Sequence, residues 1–581
     1  MKMRILKPIY VVFLAAITFA SCGTTKTVTS TTTSTTNSEV LVSGTDNMVA
    51  KKGNMSEAEI QAWPHDDIYT DSIPGMSLDK AYDFVKNKNG NVVIVGVIDS
   101  GIDVEHEDLK NVVWTNTGEI AGNQKDDDNN GYVDDIHGWN FLGGAKGQSN
   151  PEQLEMTRMV KKWMPKFEGK TAVDIADADK ADFELFTKLK NIIDTKHTSA
   201  ANQVEQATIQ LTQLETIKEM ISEANDTILK VLGTKELNLA NINSVTLVKP
   251  KLMNGKMIIM RILDAGATVE STFDDLDADF KNINEVIAHY KNQLDAQYNL
   301  DYDGRLSGDD PYDINDLNYG NSFVIGSKDD EIHGTHVSGI IAAERNNGIG
   351  MNGVAKNVKI MAIRAVPDGD EYDKDVALAI RYAVDNGAKV VNMSFGKSYS
   401  PNAQWVYDAI KYAEEKDVLL VHAAGNDGSD IDIDDNFPTD TKDKLIEYSD
   451  NVITVGAMTR FFNEKIVADF SNYGKKNVDV FAPGLEIYST FPKDSYESIQ
   501  GTSMAAPEVA GVAALIRSYY PALSASQVKH IIMDSGITYN KQVIKPGSSS
   551  ELVDFKDLSV SGSILNAYNA LVMAEKISNG L

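Results

Sequence analysis

Two hydrophobic patterns alternate along this chain. Residues 91–98 form a short, largely apolar run with no polar face, and it stops abruptly at Asp99-Ser100-Gly101. Such continuous runs of strand length belong to parallel strands buried on both sides. Residues 418–424 repeat it and end in Gly425-Asn426-Asp427, while Val390-Val391-Asn392-Met393-Ser394-Phe395-Gly396 reads as a further strand running into a glycine turn. Elsewhere the period changes. Val204, Ala207, Leu211, Leu214, Ile217, Ile221, Ala224 and Ile228 recur every three or four residues, and Phe280, Ile283, Ile287, Tyr290 and Leu294 do the same. That spacing predicts two amphipathic helices. Residues 245–263 read as a short strand pair, and helices are expected over 527–533 and 567–577. An apolar helix also starts near Ser503 and runs through Val509, Ala513 and Ile516. Buried parallel strands combined with helices make this an α/β chain.

In parallel sheets, chemistry gathers at the carboxyl ends of the strands, and here those ends carry reactive residue types. Gly501-Thr502-Ser503-Met504-Ala505-Ala506-Pro507 sets a small, unhindered serine at the start of an apolar helix. The helix N-terminus there favours a developing negative charge. A plain N-cap would look the same in isolation. A nucleophilic serine, however, needs a base and a carboxylate to orient it. Asp99 supplies the second. His333-Gly334-Thr335-His336 opens a small-residue helix with one histidine at its mouth and another a turn inside; His333 is the better base, and His336 reads as a packed, hydrogen-bonded histidine.

These three blocks, in the order Asp99, His333, Ser503, resemble the subtilisin-like serine peptidases. The resemblance covers about residues 76–142 and 309–540. It implies a doubly wound, mostly parallel sheet with helices on both faces. It also implies Ser503 as nucleophile, His333 as general base and then acid, and Asp99 as the carboxylate that fixes the histidine tautomer. Gly425-Asn426-Asp427 resembles the family's oxyanion segment, with Asn426 donating its side-chain amide, although a glycine-rich turn alone would suit those residues. Ser394, Phe395 and Gly396 resemble the strand that lines the substrate cleft and pairs with peptide backbone. Asp108 and Asn347 match segments that commonly hold a structural calcium. No cofactor is implied for catalysis. Glu508 stands where many relatives carry another residue, and it is expected to alter the local field without abolishing activity.

More than two hundred residues separate Asp99 from His333, where compact relatives need a few tens. The expected organisation is a signal over residues 1–21, a Ser/Thr-rich tether over 22–52 and a catalytic domain over 53–142 and 301–581. That domain is split by a mainly helical insertion over 143–300. The insertion leaves the core after the Asp99 strand and has three open roles: a lid or substrate-selecting arm, a partner surface, or a passive elaboration. Asp126, Asp128, Asn130, Gly131 and Asp134 have the spacing of the first positions of a calcium loop, with His137 where the closing glutamate would stand. Asn299, Asp301, Asp303, Gly304 and Asp310 repeat part of it.

Lys2, Arg4 and Lys7 precede an apolar run over 9–20 that is short for a membrane span and right for a secretory signal. Phe19-Ala20-Ser21-Cys22 resembles a bacterial lipoprotein signal, which implies lipidation of Cys22 and a place in the cell envelope. Cys22 is the only cysteine, so no intrachain disulfide or cysteine metal cluster forms. About fifty residues follow it before the first family-like segment, too few for the usual folding pro-domain. The net charge of −29 argues against nucleic-acid binding and for a soluble ectodomain acting on polypeptides. Asp427, Asp430, Asp432, Asp434 and Asp435 raise a preference for basic substrates. The reading is a membrane-tethered serine endopeptidase; the alternatives are a narrow processing protease and a catalytically silent scaffold of the same fold.

Overall fold

The structure, a computed structural model, describes residues 44–581 apart from 46, 47, 145, 235 and 330; the expected signal, Cys22 and most of the tether lie outside the described residues. The chain divides into two compact units. One holds the described residues up to 145 together with 307–366 and 371–581, and the other holds 146–306 with 367–370.

The first unit is built on a nine-stranded sheet. Its strands are β1 (Val93–Asp99), β2 (Gly138–Asn140), β3 (Val358–Arg364), β4 (Val390–Met393), β5 (Leu419–Ala423), β6 (Val452–Met458) and β7 (Val480–Pro483). A hairpin, β8 (Ile487–Phe491) and β9 (Ser495–Ile499), precedes the last two sheet strands, β10 (Ile537–Thr538) and β11 (Ser563–Ile564). The order across the sheet is β10-β11-β7-β6-β5-β4-β1-β3-β2. Every pairing in it is parallel except that of β10 with β11.

Successive side chains on a strand point to opposite faces, and the two cores divide accordingly. Val95, Val97, Val390, Leu419 and Val421 enter the core on one face, and Ile98, Val391, Met393 and Leu420 enter the core on the other. Both faces are covered by helices. On the first lie α1 (Leu78–Val85), α2 (His333–Ala342), α5 (Thr502–Tyr519), α6 (Ala525–Asp534) and α7 (Ala567–Ser578); on the second lie α3 (Asp373–Asp385) and α4 (Ala403–Glu415). The expected doubly wound α/β sheet is therefore the fold observed. α3 crosses tightly at Gly96, where an added Cβ would lie 3.1 Å from that of Ala383. After β1 the chain fills β2 and β3 on one side and then crosses to β4 on the other. The carboxyl ends of β1 and β4 thus flank the point where strand order reverses, the usual place for a binding crevice.

α5 runs through the interior, and every one of its residues except Ser503 is buried. Its small side chains make that burial feasible: a Cβ on Gly511 would stand 2.5 Å from that of Val354.

The second unit is helical, as the period of its sequence predicts. Its helices are Glu155–Phe167, Lys180–Leu232, Pro250–Asp264 and Val269–Asn292. The second of these has 53 residues and begins well before the predicted stripe, while its C-terminal end lies close to the predicted one. Ile221, Ala224, Ile228, Ile242, Ile259 and Leu276 form the core between the last three. The strand pair expected over 245–263 is a correction: residues 250–264 are helix. Pro250 sits at the first helical position, where its fixed φ favours the first turn and its missing N–H costs nothing. The compact unit also starts and ends a few residues later than the expected 143–300 and takes in 367–370.

Gly255 brings two of these helices together, because a Cβ there would lie 2.1 Å from the Met220 carbonyl oxygen and 2.6 Å from the Ala224 Cβ. Gly255→Leu is expected to cost about 1–3 kcal/mol by overpacking. Hydrogen exchange should then quicken in residues 214–232; unchanged exchange there would contradict this packing.

Candidate active site

Asp99 closes β1 with its side chain buried, 2% exposed. Its Oδ1 accepts the Ser100 N–H at 2.7 Å and faces His333 Nδ1 at 2.8 Å. His333 is the first residue of α2, with a third of its side chain exposed. Close approach depends on the next residue. A Cβ on Gly334 would lie 2.4 Å from the Gly101 carbonyl oxygen and 3.0 Å from the Asp99 Cβ, so only glycine lets α2 start against this strand end. Burial pulls the His333 pKa down, but the Asp99 charge and hydrogen bond raise it more, and the net shift is upward. His336 is the packed histidine expected from the sequence. It is fully buried, its Nε2 meets the carbonyls of Ile487 and Glu497 at 3.0 and 3.2 Å, and burial together with the His333 charge holds it near 3.

Ser503 is the second residue of α5. Its Oγ donates to the Ser394 carbonyl at 3.1 Å, and the Ser394 Oγ donates to the Ser503 carbonyl at 2.9 Å. Pro507 explains why that carbonyl is free. It lies inside the helix four residues after Ser503 and has no N–H to offer the Ser503 oxygen. Asn392 Nδ2 in turn donates to Ser394 Oγ at 2.9 Å. Ser394 thus holds the backbone of Ser503. The described hydrogen bonds do not include one between Ser503 and His333; such bonds commonly tighten only when substrate is bound.

Asn426 follows β5. Its Oδ1 accepts the Thr502 N–H at 2.8 Å and the Thr502 hydroxyl at 3.0 Å, which leaves Nδ2 as the outward donor. The Thr502 oxygen also accepts the Gly425 N–H at 3.0 Å. Thr502 therefore sets both the Asn426 amide and the start of α5, side by side. Sequence reading missed Asn472, which is buried beneath this loop. Its Nδ2 donates to the Ala424 carbonyl, and its Oδ1 accepts from Asp427 and Ser429 N–H at 2.8–3.0 Å. Gly425 has φ +100 and no room for a Cβ beside Asn472, so the turn requires glycine.

Phe395 is buried, and its carbonyl accepts from His422 Nε2 at 2.8 Å. Gly396 is exposed and abuts Asn436, Phe437 and His422, which line a pocket together with Asp434 and Asp435. Lys442 and Lys444 line the same pocket, and Lys444 pairs with Asp435 at 2.9 Å. Asp432 accepts the N–H groups of Lys476 and Asn477. Of the acidic run after Asn426, Asp435 thus has a cationic partner, and Asp434 and Asp435 share the pocket with Lys442 and Lys444.

Asp108 and Asn347 are brought together, but by an Asn347 Nδ2 to Asp108 Oδ1 hydrogen bond of 2.6 Å. A calcium ion between them would need the amide turned to offer its oxygen. Burial pushes the Asp108 carboxyl up. In the first acidic loop, Asp126 and Asp134 accept backbone N–H groups instead of converging. Glu119, Asp128 and Asp135 are the carboxylates that do converge, with oxygens within 4.8 Å of one another. Among the described residues no such group forms in the second acidic loop. Glu508 is buried in α5, and desolvation pushes its carboxyl well above the usual range.

Comparison with known proteins gives a consistent answer. The chain is 44% identical over 187 residues to a thermophilic serine proteinase of a Bacillus species, which is 32% of this chain and 42% of that one. It is 41% identical over 215 residues to subtilisin DY of Bacillus licheniformis, covering 36% of this chain and 73% of the relative. With thermitase of Thermoactinomyces vulgaris it shares 40% identity over 201 residues, or 34% and 65% of the two chains. The match to the Bacillus proteinase spans less than half of that protein. Residues 90–552 fit the profile of the subtilase family, Peptidase_S8, and they bracket every part of the site just described; this chain belongs to that family.

Proposed function

We propose that this protein is a serine endopeptidase that hydrolyses polypeptides through an acyl-enzyme on Ser503, at the bacterial cell envelope, where a lipid on Cys22 anchors it. The observation that carries the reading is the 2.8 Å Asp99–His333 contact at the strand ends, with Ser503 at the start of α5 and Asn426 on the loop after β5. Asp99 holds the Nδ1–H tautomer, so Nε2 is left to take a proton. Ser503 Oγ turns from the Ser394 carbonyl, passes its proton to Nε2 and attacks the substrate carbonyl. Negative charge then forms on the substrate oxygen, where the Ser503 N–H and Asn426 Nδ2 receive it at the positive end of α5. His333 returns the proton to the leaving amine, and water repeats the sequence to release the acyl group. The exposed Gly396 lets peptide backbone approach its strand.

Calcium belongs to this proposal only as a stabilising ion at Asp108 and Asn347, outside the chemistry. One observation favours the silent-scaffold reading: Ser503 donates to Ser394 and not to His333. Activity separates the two.

On a peptide substrate, Ser503→Ala or His333→Ala is expected to lower kcat by about 10⁶ and Asp99→Asn by about 10⁴. Asn426→Leu should lower it by about 10²–10³, the size known for an oxyanion-hole asparagine in subtilisin. Wild-type activity that survives Ser503→Ala would defeat the reading.

The raised His333 pKa gives a second expectation. Stability contributed by the protonated imidazole is full below the usual histidine value of 6.5 and is lost as pH rises through the higher folded-state value. Followed by NMR, His333 should titrate above 6.5 in the wild type and below 6.5 in Asp99→Asn, where burial alone remains. A wild-type value below 6.5 would contradict the pairing.

A further inference from the structure

A buried charged pair behind the site has no part in the chemistry above. Arg364 and Glu331 have side chains 0% and 3% exposed. They meet fork to fork: Arg364 Nη2 donates to Glu331 Oε1 at 2.6 Å, and Nε donates to Oε2 at 2.9 Å. Stability alone is a weak reason for such a pair, because well-packed apolar residues of similar volume commonly do as well or better. Its position supplies another reason.

Arg364 ends β3 directly opposite Asp99 in the β1–β3 register. Its Nε also donates to the Ser100 carbonyl at 2.8 Å, and Nη1 donates to Asn140 Oδ1 at 3.1 Å. Ser100 is the residue whose N–H orients the Asp99 carboxylate, and its Oγ accepts the Gly334 N–H at 3.4 Å. Arg364 therefore fixes the backbone from which Asp99 is aimed. Glu331 stands two residues before His333. Its Oε2 accepts the Gly326 N–H at 2.6 Å, and its own N–H donates to the Ser327 carbonyl at 2.9 Å, so the turn leading into α2 is wrapped around this carboxylate. A Cβ on Gly101, at φ +131, would lie 3.1 Å from Glu331 Oε2, which places the pair hard against the chain that leaves Asp99.

We infer that Arg364 and Glu331 are positioning residues for the Asp99–His333 pair, gripping the backbone behind the carboxylate with one partner and the turn before the imidazole with the other. This rests on the reading of Asp99 and His333 given above. Neither side chain touches substrate; each acts through the backbone it holds. The charged and titratable groups facing His333 are Asp99 from β1 and His336 from the next turn of α2, while the intact ion pair adds no net charge.

The test uses the full chain with three changes: Arg364→Lys, which keeps the charge and loses the fork; Glu331→Gln; and the apolar double variant Arg364→Met with Glu331→Leu. Melting temperature, KM, kcat and the pH profile of kcat/KM are read for each, beside Ser503→Ala. The double variant is expected to stay folded, keep KM within about twofold and lose about tenfold to a hundredfold in kcat, the scale of a slight misplacement of reacting groups. Its acid limb should move to lower pH as His333 loses its hold on Asp99. Arg364→Lys should show a smaller loss of the same kind, and it carries the test if the double variant does not fold. Folded variants whose kcat and acid limb match the wild type would overturn the inference and leave the pair a packing device. Wild-type hydrolysis insensitive to Ser503→Ala would instead remove the reading beneath it, so the two failures are distinguishable.

Discussion

The parallel alignment of β1, β4 and β5 is the constraint on which the site depends. Neighbouring strands lie about 4.8 Å apart, and all three end on the same edge of the sheet, so the loops carrying Asp99, Ser394 and Asn426 start within a few side-chain lengths of one another. The alignment persists because alternate residues of each strand fill two separate cores, one under α2 and α5 and one under α3 and α4. A slip of one residue in any of these strands would exchange the two faces and carry the reactive residue away from its partners.

α5 converts that edge into a site. Small residues let it run buried through the molecule, so its N-terminus and Ser503 emerge where the strands end. Pro507 leaves the Ser503 carbonyl to Ser394, and Thr502 fixes the Asn426 amide. Ser503 and the Asn426 amide are thus set by one helix start, while His333 and Asp99 are set by α2 meeting β1. Arg364 and Glu331 tie that second half together from behind.

Much of this was legible in the sequence, and the parts that were not have physical reasons. A polar residue directly after an apolar run, such as Asp99 or Asn426, announces a strand end, and three- and four-residue periodicity announced two of the helices of the second unit. Arg364 gave no such signal, because an arginine ending an apolar run reads as a solvated terminus until Glu331, far off in sequence, is brought beside it. Asn472 was hidden in the same way, being a loop asparagine whose three side-chain partners lie more than forty residues earlier. The apolar residues at 245–263 suited strand and helix alike, and Pro250 decided for helix. In the acidic loop the regular spacing drew attention to Asp126 and Asp134, whereas the fold gathers Glu119, Asp128 and Asp135, whose convergence depends on the path of the chain and not on spacing.

The central claim is that Ser503 is an activated nucleophile. It is tested most directly by treating the purified protein with a fluorophosphonate and locating the adduct by mass spectrometry. The account predicts one adduct, on Ser503, that forms in the wild type and not in His333→Ala. A folded wild type that gains no adduct, or gains one on another serine, would contradict it.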